Sequence, residues 1–251
     1  MPEQVEFNPD EWKPLTAIGR AVKTKEIKDI DTILEAGQCI LEPEISDMLL
    51  NLEVEFLLVG QAKGKFGGGQ RRVFKNTQKK TREGNKPKFT AVAVVGDRDG
   101  HVGIGFGSAK ETVPAREKAL RQAKLNVFKI RRGVGSWEDK ADSPHSIPFA
   151  VQGKCGSVII NLLPAPKGKG LCVEKECAKI LALAGIKDVW SKSFGQTKTK
   201  MNIVKACEKA LRKLSTMKVL DKYNDQLLIA DGAMKKDTRK EDMEEVLAAQ
   251  E

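Results

Sequence analysis

Phe89-Thr90-Ala91-Val92-Ala93-Val94-Val95-Gly96-Asp97-Arg98-Asp99-Gly100-His101-Val102-Gly103-Ile104-Gly105-Phe106-Gly107 is the stretch on which the fold turns. Its first seven residues form an apolar, valine-rich run and read as a strand. Asp97-Arg98-Asp99-Gly100 reads as a turn rather than a catalytic carboxylate pair, because Asp side chains bond their own backbone two residues on and Gly accepts positive φ. His101 to Gly107 is a further strand. Alternate strand residues share a face, so Gly103, Gly105 and Gly107 leave that face bare, with room for another backbone to approach. Pro114 then opens a long helix with Ala115, Ala119, Ala123 and Val127 spaced by four and Leu120 beside them. Upstream, Val54 to Val59 has strand character and runs into Gly60 to Arg72, a flexible, basic, glycine-rich loop. The unit is β-β-β-α, with its basic loop between the first two strands.

Short helices are expected before this unit. Leu15, Ile18 and Val22 share one face; Asp29 is a candidate cap for a helix carrying Ile30, Ile33 and Leu34 and ended by Gly37; Glu44 to Leu52 places Ile45, Met48, Leu49 and Leu52 at helical spacing. Helices so short need a body to pack on. After it comes a β-β-α-β-α unit. Ile147 to Gln152 and Ser157 to Leu163 flank a hairpin at Gly153 to Gly156, a helix from Val173 to Ala184 stops at Gly185, Ile186 to Trp190 reads as a strand, and a last helix runs from Met201 to Leu214. Trp137 and Trp190 read as buried anchors. Beyond Ser215 the chain is charged and weakly patterned, with a loose helix near Glu244 to Ala249.

The net charge of +10 over 251 residues is strongly segregated. Residues 1–60 hold 5 basic and 13 acidic side chains, residues 61–90 hold 10 and 1, residues 91–214 hold 23 and 11, and residues 215–251 hold 6 and 9. A basic centre of this kind attracts phosphate polyanions, and the acidic ends read as protein-facing or solvent-exposed additions. No apolar run approaches the ~18 residues of a membrane span. Met1-Pro2-Glu3-Gln4 lacks a signal-peptide pattern, so a cytoplasmic protein is expected. The five cysteines are odd in number and include no Cys-x-x-Cys, which argues against a disulfide framework or a paired-cysteine zinc site.

Catalytic chemistry has little to work with. His101 and His145 are the two histidines, and no local signature makes Cys155 and His145 a nucleophile and its base. Gly103-x-Gly105-x-Gly107 has Ser108 where a dinucleotide fingerprint needs its third glycine, and Gly64 to Gly69 lacks the Gly-Lys-Ser/Thr ending of a phosphate loop. The candidate binding residues are cations instead: Lys63, Lys65, Arg71, Arg72, Lys75, Lys79 and Lys80 in the basic stretch, Lys124, Arg131 and Arg132 at the end of the long helix, Lys167 and Lys169 in Pro164-Ala165-Pro166-Lys167-Gly168-Lys169-Gly170, and Lys198 and Lys200 beside the last helix. Aromatics are 5% of the chain, so backbone and shape recognition of folded RNA fits better than base stacking.

The stretch from Phe89 to Glu111 resembles the core signature of the small-subunit ribosomal protein uS-five family. Pro144-His145-Ser146-Ile147-Pro148-Phe149, Gly153-Lys154-Cys155-Gly156-Ser157, Pro164 to Gly170, Leu183 to Trp190 and Gly195-Gln196-Thr197 continue the resemblance in order. Pro14-Leu15-Thr16 and Leu41-Glu42-Pro43-Glu44-Ile45 are similar to its archaeal and eukaryotic branch. The resemblance implies an α+β fold: a helical N-terminal extension (1–52), a double-stranded-RNA-binding-like α/β domain (53–130), a ribosomal-protein-type β-α-β C-terminal domain (131–214) and a charged tail (215–251). It implies a structural, non-enzymatic role without cofactor or homo-oligomer. The implied partners are small-subunit rRNA at the junction of body and head, mRNA where it enters the subunit, and the neighbouring proteins uS-four, uS-eight and uS-three, with an influence on decoding accuracy. The glycine-rich loop with Arg71 and Arg72 corresponds to the family's rRNA-reaching loop. Two features depart from the family: a polar, basic insertion from Lys75 to Lys86, and Ile159 where a basic residue is frequent. Archaeal members also carry cysteines where Asp139-Lys140-Ala141 stands, so no metal site is expected here.

Overall fold

Ala91 to Val95 has no polar residue on either alternate, which suits a strand covered on both faces, and both of its faces are buried in the computed structural model. The structure describes residues 3–4, 12–62, 69–139, 143–224 and 226–233. In chain order the elements are β1 (Glu3–Gln4), α1 (Ala17–Lys23), α2 (Ile30–Glu35), α3 (Pro43–Leu49), β2 (Glu53–Phe56), β3 (Lys75–Thr81), β4 (Gly84–Gly96), β5 (His101–Ala109), α4 (Thr112–Leu125), β6 (Val127–Lys129), β7 (Arg131–Arg132), β8 (Val151–Cys155), β9 (Val158–Pro164), β10 (Leu171–Cys172), α5 (Lys175–Leu183), β11 (Val189–Phe194), α6 (Lys200–Thr216), a 3-10 turn (Asp221–Tyr223) and β12 (Ala230–Asp231). The first sheet has the order β1-β2-β4-β5-β6, with β3 paired to the leading half of β4; the second runs β10-β11-β9-β8; β12 pairs β7.

One face of the first sheet, carrying Ala91, Ala93, Val95 and Val54, packs on Ala119 and Ala123 of α4 and on Trp12, Val22, Ile30, Ile33 and Ile45 of the N-terminal segment. The other face, with Val92, Val94, Val102 and Ile104, joins a single apolar core with Val158, Ile160, Leu162, Ile180, Leu181 and Leu211. The two α/β units therefore share a core across this sheet. The glycines set the spacing. A Cβ at Gly103, Gly105 or Gly107 would lie 2.2, 2.1 and 2.2 Å from the carbonyl oxygens of Ala123, Ala119 and Ala115. On the opposite face a Cβ at Gly96 would meet the Leu183 carbonyl at 2.4 Å, and in the second sheet one at Gly153 would meet that of Ala206 at 1.9 Å.

The N-terminal helices dock through polar bonds as well. Glu42 accepts from Trp12 Nε1 (3.1 Å), Leu15 N (3.0 Å) and Thr16 N (2.6 Å), while Thr16 caps α1 at Gly19 N (3.0 Å). Burial disfavours the Glu42 carboxylate, but these bonds outweigh it and hold its pKa below the usual range. Asp29 occupies the cap position of α2 and makes no side-chain capping bond.

Several expected boundaries move. The strand expected at Ile147 begins at Val151, because Ser146 pairs with Gly133 in an isolated bridge and Ile147 is wholly buried. The strand expected at Ile186 begins at Val189, since Ile186 N closes the end of α5 on Leu181 O and Lys187 N bonds His145 O. The described part of the tail packs back on the body: Val134 N bonds Leu227 O, and Gly232 N bonds Ile130 O. The helix expected near Glu244 lies outside the described residues. Neither tryptophan is a buried anchor. Trp137 is 91% exposed in a turn where Asp139 N bonds Ser136 O, and Trp190 (37%) alternates with inward Val189 on β11. No helix among the described residues is long and apolar enough to cross a membrane.

Gly105→Ala tests the spacing. Its methyl group would meet backbone atoms of α4 that cannot rotate away, so a loss of about 3 kcal/mol is expected in denaturant unfolding. Gly168→Ala meets nothing within 4 Å at a φ of +87° and is expected to cost about 1 kcal/mol, from the left-handed backbone alone.

Candidate nucleic-acid interface

Lys75 to Lys88 was expected as a continuation of a flexible loop and is a β-hairpin. Lys75 pairs with Thr90 and Thr81 with Gly84, and the turn is closed by Gly84 at a φ of +109°. Pro87, which lacks an N–H, lies where β4 has a partner on one side alone, β3. Lys75 to Lys80 and Gly84 to Lys88 are all exposed, so nothing among the described residues covers either face of this ribbon. At its base Gly60 N bonds Arg72 O (2.8 Å), Arg72 N bonds Gln61 O (3.2 Å), and Arg71 Nη1 donates to Gly60 O (3.2 Å). The glycine-rich loop is thereby pinched shut below Arg71 and Arg72. Lys63 and Lys65 lie outside the described residues. Lys167 and Lys169 are exposed on the loop between β9 and β10, where Gly170 N bonds Asp188 Oδ1 (2.7 Å), and Lys198 is exposed before α6.

Four of the expected contact residues are engaged inside the chain. Lys124 is buried and bonded to Asp47 (2.6 Å). Arg132 is buried, bonded to Asp99 (2.7 Å) and to Gly232 O (3.0 Å). Arg131 grips both oxygens of Asp231 at 2.6 and 2.9 Å, and Lys200 pairs with Glu174 (2.5 Å). Cations near a helix end suggested an RNA contact, but each faces a carboxylate brought in from a distant segment. The acidic N-terminal segment supplies much of that counter-charge: besides Asp47, Glu35 pairs with Lys129 (2.7 Å), Glu53 with Arg98 (2.7 Å) and Glu55 with Lys179 (3.8 Å). These carboxylates each pair with a cation of the body of the protein.

Both histidines hold structural joints. His101 is 1% exposed, with Nδ1 2.6 Å from Asp97 Oδ2 and Nε2 3.0 Å from Asp31 Oδ1. Asp97 also accepts from Asp99 N (2.7 Å) and His101 N (3.0 Å), the expected turn chemistry. Burial alone would lower the His101 pKa; the two carboxylates reverse that and raise it to about 9. Asp31 is lowered, first by its bond to His101. Asp97 is also lowered, the bond and charge of His101 outweighing its burial. His145 repeats the arrangement, with Nε2 2.5 Å from Asp139 and Nδ1 2.8 Å from Asp188. Ser146 Oγ donates to Asp188 O (2.5 Å) and accepts from Ala165 N (3.3 Å). Sequence reading missed these joints because Asp31 lies 70 residues from His101; the one local signal is Asp97 four residues before it.

With histidines committed to ion pairs and exposed cations gathered on a ribbon and loops, the molecule has the make-up of a structural nucleic-acid-binding protein. The comparisons narrow that class. Residues 73–131 match the family model for ribosomal protein S5, N-terminal domain, and residues 153–224 that for its C-terminal domain. The chain is 53% identical over 213 residues to the small ribosomal subunit protein uS5 of Nanoarchaeum equitans, covering 84% of this chain and 91% of that one. It is 46% identical over 227 residues to uS5 of Methanocaldococcus jannaschii (90% and 98%) and 44% over 209 to that of Pyrobaculum aerophilum (83% and 89%). The chain belongs to the ribosomal protein uS5 family, whose members are structural, non-enzymatic components of the small subunit of the cytoplasmic ribosome.

Two outcomes follow from the joints. The raised pKa of His101 makes its contribution complete below about pH 6.5 and lost as pH rises through about 9. Unfolding free energy is therefore expected to fall by the order of 3 kcal/mol between pH 6.5 and 9.5 from this group. His101→Gln is expected to remove that drop in the same titration. For Lys124, replacement by Met strands Asp47, whose pKa burial already raises. We expect a loss of about 3 kcal/mol near neutral pH, partial recovery as pH is lowered and Asp47 protonates, and unchanged RNA affinity by filter binding.

Proposed function

We propose that this chain is a structural constituent of the small ribosomal subunit that binds small-subunit rRNA at the junction of body and head. By the family resemblance it lies beside the route by which mRNA enters, adjoins uS-four, uS-eight and uS-three, and supports decoding accuracy. The observation that carries the RNA reading is the sorting of the cations. Arg72, Lys75, Lys79, Lys80, Lys167, Lys169 and Lys198 are exposed and have no ion-pair partner among the described residues, while cations turned toward the N-terminal segment are neutralised. Arg71 stands at the neck of the glycine-rich loop, and Lys63 and Lys65 belong to that loop by sequence. Phosphate contacts of this kind position a protein on folded RNA and release counterions as they form.

Sedimentation with small subunits at physiological salt tests the assignment, and a protein that stayed in the unbound fraction would defeat it. Arg72→Gln/Lys167→Gln/Lys169→Gln is expected to weaken small-subunit rRNA binding and to reduce the slope of log affinity against log salt by about 2. An unchanged slope would make these residues a solvated surface.

A further inference from the structure

The register of the β3–β4 hairpin sorts its side chains by chemistry. Residues directly opposite one another in an antiparallel pair share a face, as do alternate residues along each strand. Lys75 opposite Thr90, Thr77 opposite Lys88, Lys79 opposite Lys86 and Thr81 opposite Gly84 make one face; Asn76 opposite Phe89, Gln78 opposite Pro87 and Lys80 opposite Asn85 make the other. Four of the five hairpin lysines thus stand on one face among threonines, and the reverse face is amide, proline and phenylalanine with a single lysine. The lysine face continues the sheet face that further along β4 carries Val92 and Val94 into the shared core.

We propose that the lysine face grips the phosphate backbone of base-paired RNA and that the amides of the reverse face, where Lys80 is the single cation, do not; this rests on the RNA-binding reading above. Lys79 and Lys86 sit directly opposite each other, an arrangement that destabilises a free sheet. Glu83, the one acidic residue from Lys75 to Lys88, pairs with Lys86 at 2.8 Å across an exposed turn, where such a pair contributes little. A polyanion laid across the ribbon relieves the remaining repulsion. The company these lysines keep selects paired RNA over unpaired. No aromatic stands on this face of the hairpin from Lys75 to Thr90 to stack a splayed base, whereas ammonium and hydroxyl groups suit the phosphates and 2′-hydroxyls that an A-form helix displays. Thr77 and Thr81 donate their hydroxyls to Lys88 O (3.3 Å) and Gly84 O (2.8 Å), which leaves hydroxyl oxygens to accept.

The full chain with Lys75→Gln/Lys79→Gln/Lys86→Gln/Lys88→Gln is compared with Asn76→Ala/Gln78→Ala/Asn85→Ala. The probes are a mixed-sequence RNA duplex of about 16 base pairs and one of its strands alone, each titrated across salt. Neutralising like charges on an exposed ribbon preserves folding, which circular dichroism checks. The expected result is a duplex salt slope lower by about 3 in the lysine variant, a smaller loss for the single strand, and an unchanged slope in the amide variant. Equal losses in the two variants, or a larger loss for the single strand, overturn the proposal. So does a lysine variant that keeps its RNA affinity but loses affinity for polyglutamate, which would assign the face to an acidic protein. If the lysine variant is unchanged while Arg72→Gln/Lys167→Gln/Lys169→Gln weakens binding, this face is wrong and the RNA-binding reading stands. If neither set alters RNA binding, that reading falls with it.

Discussion

Helix α4 lies so close to β5 that its carbonyl oxygens occupy the space a Cβ would need at Gly103, Gly105 and Gly107. Everything else is arranged around that contact. With glycine on β5 and alanine on β4, the helix sinks onto one face of the sheet, and Ala115, Ala119 and Ala123 are the only helical residues small enough to meet it. Under α4 the first sheet is then sealed by small residues, and Trp12, Val22, Ile30, Ile33 and Ile45 of the N-terminal segment complete that face. Val92, Val94, Val102 and Ile104 point the other way, where they need a second layer, and the C-terminal unit is that layer. Gly96 and Gly153 repeat the device under α5 and α6. The shared core follows from close approach on one face and bulk on the other, so the two family domains are not two independent hydrophobic bodies.

A core of this kind leaves its seams polar, and histidine closes two of them. His101 draws together α2, the β4–β5 turn and, through Asp31 beside Gly232, the returning tail. His145 sits where Asp139, the segment at Ser146, the β9–β10 loop and the start of β11 converge. At the first, the His101 imidazole between two carboxylates can carry its charge in the interior, because the partners supply what water would otherwise provide. Arg132, bonded to Asp99 and Gly232 O, lies at the first seam too. These seams explain why a weakly patterned segment returns to the body at Leu227 and Gly232: its backbone completes hydrogen bonds that Ile130 and Val134 would otherwise lack.

What the sequence made legible was whatever depends on neighbours along the chain. The alternate glycines of β5, the alanines spaced by four in α4, the stop at Gly185 and the Asp97 turn all encode short-range geometry, and each stands where local pattern put it, as do the helices expected before Ser215, to within a few residues. The hairpin at Lys75 escaped because its strands are polar on both faces, and period-2 alternation of hydrophobicity exists only where one face is buried. Trp137 escaped because its exposure depends on the turn that presents it, not on its apolar neighbours. Lys124, Arg131, Arg132 and Lys200 look, in sequence, like Lys79 or Lys167; what separates them is a carboxylate contributed from elsewhere in the chain, which composition records only as a sum.

That sum is the last point at issue. A net charge of +10 suggests a uniformly basic molecule with acidic ends attached. Instead, Asp31, Glu35, Asp47, Glu53 and Glu55 neutralise the side of the body on which the N-terminal segment lies, and Asp231 does the same for Arg131 in the tail. Neutralisation there lowers the long-range attraction exerted by that side, because a cation paired within the fold contributes little field beyond it. It does sharpen the field's direction. From Gln61 to Thr90 the chain has one carboxylate, Glu83, and the hairpin projects beyond the carboxylates of the body. The acidic extension therefore both fastens to the sheet and leaves the positive potential concentrated on the ribbon and on the loop at Lys167 and Lys169. An approaching polyanion is steered by that asymmetry more than by the total.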